Sequence, residues 1–480
     1  MNQSRIKNQA EDFSGWYESV VENAKLAQPG LVKGTILILP HAWAIWEQIQ
    51  FFINQKFQQL GISNVGFPSF LTHESLAKEK DHVAGFAPEL FLVYKSKTDH
   101  SHSVILRPTS EITFCHYFKT NLQSYNQLPM QVNQWCNVFR AEKNTKAFLR
   151  TSEFYWQELH TIHATATEAH QMVADVFNIY QECLRDYLNI GFLAGQKTIL
   201  EKFAGADATY TLESFMPDGQ MLQSCTAHYL GTNFTKPFEI TFNSQNNEKT
   251  FPFQTSAGIS TRILGAIIMS HGDNFGLVLP FDVAPHQIAV LNLVKNSDEQ
   301  SQQFLNQLNN LLKNYRVKTD HSNKSFGFKI QTQELLGTPF SLVVGQKEIA
   351  ENQVVVIDRL DREKTIVPLT ELNEWLLQKI QWYKTEMYNR SYRRLVNAVV
   401  ECQNWEQVIT TVKAGKIALA PWFNDKNNEE NFKAAQTGFS IRCIKNPLEN
   451  NATTVNSEVQ IPCVFSQQPA NCWVYFARSY

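Results

Sequence analysis

Short strand-like segments dominate the stretch between about residues 135 and 279, and this feature most limits the folds open to the chain. We predict strands at 135–142, 153–162, 208–215, 221–228, 237–243 and 275–279, and helices at about 166–188 and 257–270. Strands from distant parts of the chain must then pair across the intervening helices. That arrangement predicts an α/β (α+β) fold with a mixed sheet, and not a repeating βαβ unit.

The residues before this stretch predict a helix-rich entry to the sheet. Apolar residues with a period of 3.6 predict a long helix at 43–60, which Gly61 ends. Short strands are expected at 35–39 and 63–67, the second stopped by Pro68. A further helix is expected to start near Thr109, directly after Pro108.

Beyond Pro285 the pattern changes to a compact βαβαββ alternation. Its predicted strands are 286–293, 316–319, 340–344 and 353–359, and its predicted helices are 297–314, 325–336 and 369–381. The last segment, about 382–480, opens helically and ends in short strands. Its two Asn-rich stretches, 424–431 and 446–456, are predicted to be loops.

Composition excludes several classes of protein. Hydrophobic residues make up 43% and charged residues 18%, so the chain can bury a sizeable core. The net charge of −2 gives no argument for a nucleic-acid partner. No apolar run approaches the ~20 residues of a membrane span, and no apolar signal region is found at the start. Eight cysteines without a CxxC pair make a disulfide framework unexpected, so we expect a soluble cytoplasmic protein.

Two predicted strands carry candidate site residues. Arg140 and Glu142 share one face of a strand, and an arginine fork can bind a carboxylate and a phosphate. The alternative is a surface ion pair. On the next strand, Trp156, Glu158 and His160 also share a face, which is the mixture that a ligand pocket needs. The alternative there is an edge strand with a wet face.

Two further clusters lie at predicted helix starts. Arg107-Pro108-Thr109-Ser110-Glu111 is a plain helix start, and polar ligand contacts also gather at such ends. Residues 254–262 are predicted to form a small-residue turn that runs into a helix with Arg262. Neither a Rossmann glycine motif, a Walker phosphate loop nor an HExxH metal motif occurs in the sequence.

The order of these clusters resembles the three signature motifs of class II aminoacyl-tRNA synthetases. The segments PTSE, NQWCNVFRAE, FLRTSEFYWQE, KFAG, HYLGTNF, HGDNFGLVLP and the final ARSY resemble the prolyl-tRNA synthetases, in the archaeal and eukaryotic-like branch. The resemblance covers about residues 12–480. It is highly specific in 103–162 and 223–282 and weak in 386–462.

The resemblance implies three domains. Residues 1–283 would form a catalytic domain with an antiparallel-rich sheet flanked by helices, and residues 284–385 an α/β anticodon-binding domain. Residues 386–480 would form a small α+β C-terminal domain, whose last Tyr reaches back toward the active site. The implied reaction activates L-proline with ATP to prolyl-adenylate and transfers proline to the 3′ end of tRNA(Pro). Because motif 1 usually makes a dimer interface, the helix at 43–60 suggests a homodimer.

The family's pattern also implies residue roles. The expected proline contacts are Thr109, Glu111, Arg140, Trp156, Glu158, Phe203 and His228. The expected ATP contacts are Arg140, Glu142, Leu149, Thr151, Gln223, Thr226, Ser260 and Arg262. Arg140 and Arg262 are the expected catalytic residues, and Glu213 is the expected ligand of Mg²⁺.

The chain departs from the family's pattern at several positions. Those around the site are Ser152, Leu159, Ala206, Ser224-Cys225 and Ala257, which put affinity in doubt more than reaction type. Four cysteines that often bind zinc in the C-terminal domain fall here on Trp422, Asn427, Cys463 and Phe465. Because only one thiolate remains, no zinc site is predicted, although Cys443, Cys463 and Cys472 converging with an outside ligand is the alternative.

Two other functions stay open from the sequence. One is a class II synthetase for threonine or serine, against which PTSE and FYWQE argue. The other is a synthetase-like protein without catalysis that binds tRNA or serves as a scaffold. The presence of both Arg140 and Arg262 argues against that alternative.

Overall fold

The computed structural model describes residues 6–77, 90–94, 96, 103–294, 298–445 and 461–480. Helices of the first part are α1 (Phe13–Asn23), α2 (Pro40–Gln59), α3 (His73–Ala77), α4 (Glu111–Asn121), α5 (Ala166–Glu182) and α6 (Arg262–His271). Its short strands are β1 (Ala27–Pro29), β2 (Ile36–Ile38), β3 (Ser63–Asn64), β4 (Phe70–Leu71), β5 (Phe91–Tyr94) and β6 (Ser103–Leu106). The strands that follow are β7 (Met130–Phe139), β8 (Glu153–His163), β9 (Phe192–Gln196), β10 (Ala208–Phe215), β11 (Gln220–Gly231), β12 (Phe242–Asn243), β13 (Lys249–Thr250) and β14 (Phe253–Ser260).

An antiparallel sheet in the order β9-β10-β11-β14-β8-β7 forms the centre of the first part, as the family resemblance implies, and β3 joins its end in parallel. One face of the sheet packs on α1, α2, α5 and α6, and Leu159, Cys225, Ala257 and Ile259 lie in that core. Successive residues of a strand point to opposite faces, so their neighbours Glu158, Thr226, Gly258 and Ser260 point away from the core. The second face is therefore the polar one.

The predicted turn at 254–262 is wrong, because residues 254–260 belong to strand β14. The strand pairs with β8 on one side and β11 on the other, and the helix starts only at Arg262 instead of residue 257. The small side chains indicated a turn, but in β14 they leave space for groups of the neighbouring strand β8. A Cβ on Gly258 would lie 3.2 Å from the Gln157 carbonyl and 3.6 Å from the Trp156 ring.

Two other strand predictions fail in this region: the one at 275–279 entirely, and the one at 237–243 for most of its length. Residues 275–279 form no strand, and the amides of Leu277 and Leu279 donate to the carbonyls of Leu335 and Gly337 in the next domain. Of the predicted strand at 237–243, only Phe242–Asn243 is extended and paired.

The middle part has the predicted α/β alternation. Its strands are β15 (Ile288–Asn292), β16 (Val317–Asp320), β17 (Phe340–Val344), β18 (Gln353–Asp358) and β19 (Lys364–Pro368). Its helices are α7 (Glu299–Leu311), α8 (Phe326–Leu336), α9 (Gln346–Ala350) and the long α10 (Leu372–Ala398). The sheet order is β16-β15-β17-β18-β19. Helix α10 continues through residue 385, where the sequence predicts a domain boundary, and the division into three domains stays a prediction.

The C-terminal part extends the first sheet. Its elements are β20 (Val399–Glu401), α11 (Trp405–Lys413), β21 (Ile417–Trp422), α12 (Lys426–Ala434), β22 (Ser440–Lys445) and β23 (Cys472–Ser479). Strand β22 pairs with β9, so that β20-β21-β23-β22 continues the central sheet. The predicted loop at 424–431 is wrong, because Asp425 accepts from the amides of Asn427 and Asn428 and so caps α12. The other Asn-rich stretch lies outside the described residues.

No helix among the described residues is long and apolar enough to cross a membrane.

An aromatic cluster forms the core of the C-terminal part. Its members are Trp405, Trp422, Phe432, Phe439, Phe465 and Phe476. The ring centroids of Trp405 and Phe465 lie 5.0 Å apart, and those of Phe432 and Phe476 lie 5.6 Å apart. Aromatic pairs at such distances stabilise a core beyond the area that they bury.

The residues at the former cysteine positions do not suit zinc. Trp422 and Phe465 belong to the aromatic cluster, and the Cys463 thiol instead accepts from the Asn428 amide at 3.6 Å. Cys443 packs in a separate apolar cluster. In the part of the chain that the structure describes, Cys443, Cys463 and Cys472 do not form a group with metal-binding spacing.

We predict that the purified protein holds no zinc, because a structural site needs four ligands in a tetrahedral array. Metal analysis after dialysis against a chelator should find none, and the chelator should leave the unfolding midpoint unchanged. One tightly held zinc ion per chain would contradict this prediction.

Candidate active site

A cavity of about 330 Å³ opens on the polar face of the central sheet. Strands β8, β11 and β14 form its floor, and the start of α4 and the loop after β9 form its sides. Every residue predicted for proline or ATP lines it: Thr109, Glu111, Arg140, Glu142, Leu149, Thr151, Trp156, Glu158, Phe203, Gln223, Thr226, His228, Ser260 and Arg262. The fold thus gathers side chains that are up to about 150 residues apart in sequence.

Glu158 is the best-connected side chain at one end of the cavity. It is 2% exposed, and its Oε1 accepts from the Ser110 amide at 3.0 Å. The Thr109 hydroxyl lies 3.2 Å from the same oxygen and closer still to the Glu111 carboxylate, to which it donates. Its Oε2 accepts from the Gln134 side chain at 3.3 Å. Burial by itself raises the pKa of Glu158, but hydrogen bonds with His160 and Ser110 outweigh it and lower the pKa overall.

Glu111 lies beside this carboxylate and is also buried. Burial, and then the negative charge of Glu158, raise the pKa of Glu111. Ligand atoms of Glu111, Glu158 and His160 all lie within 4.8 Å of one another. Two carboxylates buried this close together favour a positively charged guest, so this end of the cavity can bind an ammonium group.

Arginines dominate the other end. The Nε of Arg262 donates to the Leu149 carbonyl at 3.0 Å, and the Nε of Arg140 donates to the Pro108 carbonyl at 3.2 Å. Burial, and then the charges of Arg140 and Arg150, lower the pKa of Arg262 to about 10. Cations held this close together repel one another, so the binding of an anion such as a phosphate stabilises this end.

An apolar wall stands beside the acidic end. The rings of Phe203 and His228 lie 4.9 Å apart, and the Trp156 indole donates to the Cys136 sulfur at 3.2 Å. The Thr209 hydroxyl bonds to Nδ1 of His228 at 2.9 Å. Burial lowers the pKa of His228 to about 3, so this ring is neutral near pH 7 and acts as an uncharged wall.

Glu213 does not line the cavity. Its carboxylate is fully buried, and it accepts from Lys197 at 2.7 Å and from Arg442 at 2.8 Å. Thr211 donates to the same carboxylate at 3.0 Å. The ion pairs with Lys197 and Arg442 occupy both oxygens, which weighs against the predicted magnesium role.

Sequence reasoning missed Lys197, Glu201 and Thr209, which also line the cavity. They lie in and around the connection between β9 and β10, and they belong to no motif. Their place depends on the pairing of β9 with β10 and of β22 with β9. No signal in the sequence itself marks these residues.

Three family models match this chain. The tRNA synthetase class II core domain (G, H, P, S and T) matches residues 94–271, the anticodon binding domain matches 287–379, and the prolyl-tRNA synthetase C-terminal model matches 405–480. Proline–tRNA ligase of Malacoplasma penetrans is 42% identical, over 99% of this chain and 100% of its own length. That of Ureaplasma parvum serovar 3 is 41% identical, over 99% of each chain.

Solved structures agree with these relatives. The prolyl-tRNA synthetase of Cryptosporidium parvum complexed with L-proline and AMP has a TM-score of 0.93 and 31% identity, over 100% of this chain and 98% of its own. The same enzyme complexed with halofuginone and AMPPNP has a TM-score of 0.92 and 33% identity, over 99% of each chain.

We predict that Glu158→Gln lowers the free energy of unfolding at neutral pH by about 1–3 kcal/mol. The new amide would place N–H groups against the donors of Ser110 or Gln134. Because the pKa of Glu158 is lowered in the folded state, its contribution is present above the unfolded pKa and is lost as pH falls through the folded pKa. The difference between variant and parent should therefore shrink in acid.

Chemical unfolding at several pH values measures this difference. Glu239→Gln is the matched control, because the Glu239 side chain is 80% exposed and its ion pair with Lys119 should contribute little. Equal stability of the two variants at neutral pH would contradict the prediction.

Proposed function

The chain belongs to the prolyl-tRNA synthetase family and is an ATP-dependent proline–tRNA ligase of class II, and we propose how its cavity divides the reaction between its two ends. One observation carries the proposal. All residues predicted for proline and ATP line a single cavity, which has buried carboxylates at one end and arginines at the other. Proline is positively charged at nitrogen and ATP is an anion, so the two substrates match the two ends.

The acidic end would bind proline. Its ring ammonium would donate to Glu111 and Thr109. Glu158 would hold the start of α4 in place through the Ser110 amide, and Glu111 accepts from the Thr109 hydroxyl. The proline ring would lie between Trp156, Phe203 and the neutral His228. A closed apolar wall of this kind suits a small ring without polar groups.

The arginine end would bind ATP. Arg140 would contact the α-phosphate and the proline carboxylate, and Arg262 would stack on adenine and meet the γ-phosphate. Glu142 and the backbone near Leu149 and Thr151 would hold the adenine. Gln223, Thr226 and Ser260 would complete the ATP site.

The chemistry needs positioning and charge neutralisation more than acid–base catalysis. A carboxylate oxygen of proline attacks the α-phosphorus, a bond to phosphorus forms, and pyrophosphate leaves. A ribose hydroxyl of the terminal adenosine of tRNA(Pro) then attacks the prolyl carbonyl, and AMP leaves. Arg140 touches the reacting groups in the first step, so it is the residue on which that step most depends.

The proposal includes a magnesium ion, but it assigns no residue of the chain as a ligand of that ion. When bound, the ion would neutralise phosphate charge. Glu213 does not suit this role, because Lys197 and Arg442 hold its carboxylate away from the cavity.

We further propose a cytoplasmic homodimer. The apolar residues of α2, namely Ile45, Trp46, Ile49, Ile53 and Phe57, are buried in the chain's own core and are not free for an interface. Exposed apolar side chains lie nearby in sequence. Phe51 on α2 is 58% exposed, and Phe70 and Leu92 of the small β4-β6-β5 sheet are 56% and 43% exposed. Such residues support an interface there.

We predict that Arg140→Ala reduces proline-dependent ATP–pyrophosphate exchange by about 10²-fold or more, because it removes charge neutralisation at the α-phosphate. The side chain is only half-buried, so the unfolding midpoint should stay near that of the parent. Arg185→Ala, at an exposed ion pair with Asp186 outside the cavity, is the control. Near-normal exchange in the Arg140 variant would refute its assigned role.

We predict a solution mass of about twice the 55.1 kDa of one chain. Light scattering during gel filtration measures it directly. A mass of one chain at micromolar concentration would overturn the homodimer.

A further inference from the structure

The loop after β9 connects the C-terminal part of the chain with the cavity. We call residues 197–203 the wall segment, because it ends in Phe203, which lines the cavity. Lys197 and Thr198 are buried at its start, while Phe203 is half-buried at its end. The Lys197 amide donates to the Thr209 carbonyl on β10 at 2.8 Å, and Phe203 returns to the same residue at the other end. The residues between them depend on other contacts for their shape.

Glu429 on α12 supplies two of these contacts. Its carboxylate is fully buried, and its Oε1 accepts from the Thr198 hydroxyl at 2.6 Å. Its Oε2 accepts from the Leu200 amide at 3.0 Å. Both oxygens of one carboxylate are therefore used on the wall segment, which lies more than two hundred residues away in sequence.

Lys433, one helical turn further along α12, adds to the same contact. Its Nζ donates to the Leu200 carbonyl at 3.1 Å and pairs with Glu201 at 3.1 Å. Residues four apart lie on one face of a helix, so α12 presents a carboxylate and an ammonium to the segment together. The wall segment thus has its backbone held at both the amide and the carbonyl of Leu200.

The wall segment passes this placement on to the cavity. The Phe203 amide donates to the Thr209 hydroxyl at 3.0 Å, and that hydroxyl bonds to His228 at 2.9 Å. Phe203 and His228 then face each other with ring centroids 4.9 Å apart. A shift of the segment at Thr198 or Leu200 would therefore change the gap that the two rings leave for a ligand.

Helix α12 is itself held firmly. Phe432 inserts into the aromatic cluster, and Asp425 caps the first turn. A second tie lies beside it, because Arg442 on β22 binds Glu213, and Glu213 binds Lys197 at the start of the wall segment. The C-terminal part thus acts as a rigid support behind one wall of the cavity.

We propose that Glu429 is a positioning residue of the proline pocket. Through Thr198 and Leu200 it holds the wall segment where Phe203 closes against His228 around the proline ring. The inference rests on the proposed function, because it takes proline as the ligand between those rings. Glu429 itself touches no substrate. It keeps the wall segment ordered before proline binds, so that binding does not include the entropy cost of ordering the segment.

The test compares Glu429→Gln with Glu430→Gln in the full-length chain. Glutamine has the same shape, but only one of its two head atoms accepts a hydrogen bond, so the Thr198 or Leu200 contact is lost. Glu430 is the neighbouring residue on the same helix, and its side chain is 51% exposed with a loose 3.8 Å pair to Lys426. The two variants therefore differ in the contact and not in charge or helix.

We expect Glu429→Gln to raise the KM for proline in ATP–pyrophosphate exchange by about tenfold, the effect of one lost charge-assisted hydrogen bond. The KM for ATP should stay unchanged, because Arg140 and Arg262 are held by the carbonyls of Pro108 and Leu149, which lie outside the wall segment. Glu430→Gln should match the parent in both constants. A role in folding alone would lower the amount of active enzyme and the rate, and would leave the KM for proline where it is.

Thr198→Val gives a second route to the same contact and carries the test if Glu429→Gln does not fold. It should also raise the KM for proline, and the double variant should show less than the product of the two effects, since both remove one interaction. An unchanged KM for proline in the foldable variants overturns the inference. Absence of any proline-dependent exchange in the parent overturns the proposed function instead.

Discussion

Side chains alternate between the two faces of β8, β11 and β14, and the rest of the catalytic part depends on that alternation. Leu159, Ala227 and Ile259 face the helices and build the apolar core. Their neighbours face the cavity and carry the chemistry. A slip of one residue in the pairing of Gly258 with Glu158 would put a carboxylate in the core and an apolar residue in the site.

The cavity concentrates charges that a protein interior does not tolerate alone. Glu111 and Glu158 are buried together at one end, and Arg140 and Arg262 are close at the other. Hydrogen bonds with His160 and Ser110 outweigh the cost of burying the charge of Glu158, whereas burial and the neighbouring Glu158 raise the pKa of Glu111. Substrates of opposite charge would offset the charges that remain, in agreement with the proposed binding of an ammonium at one end and phosphates at the other.

A cluster of aromatic rings holds the C-terminal part together. Trp422 and Phe465 stand at two of the positions where the resemblance implies thiolates, and Phe432 brings α12 into the same cluster. A ring cluster and a metal site both fix the relative positions of neighbouring elements. The residues Glu429 and Lys433 of α12 bind the wall segment. The packing that fixes α12 in the cluster therefore also supports the wall segment beside the cavity.

The sequence by itself determined the family, the antiparallel-rich sheet and the α/β middle part. It also picked out a set of residues that proved to line one cavity, and their roles toward proline and ATP stay predictions. Those features rest on local order and on motifs, which a linear pattern preserves. The sequence pattern gave a wrong prediction at residues 254–260. Their small side chains indicated a turn, but pairing with β8 and β11 makes these residues a strand. Only the tertiary structure decided that Glu213 is held by Lys197 and Arg442, and that Lys197, Glu201, Thr209 and Glu429 serve the cavity. Their contacts join strands and helices that are far apart in sequence. Such contacts produce no periodic pattern and no fixed residue spacing from which they could be predicted.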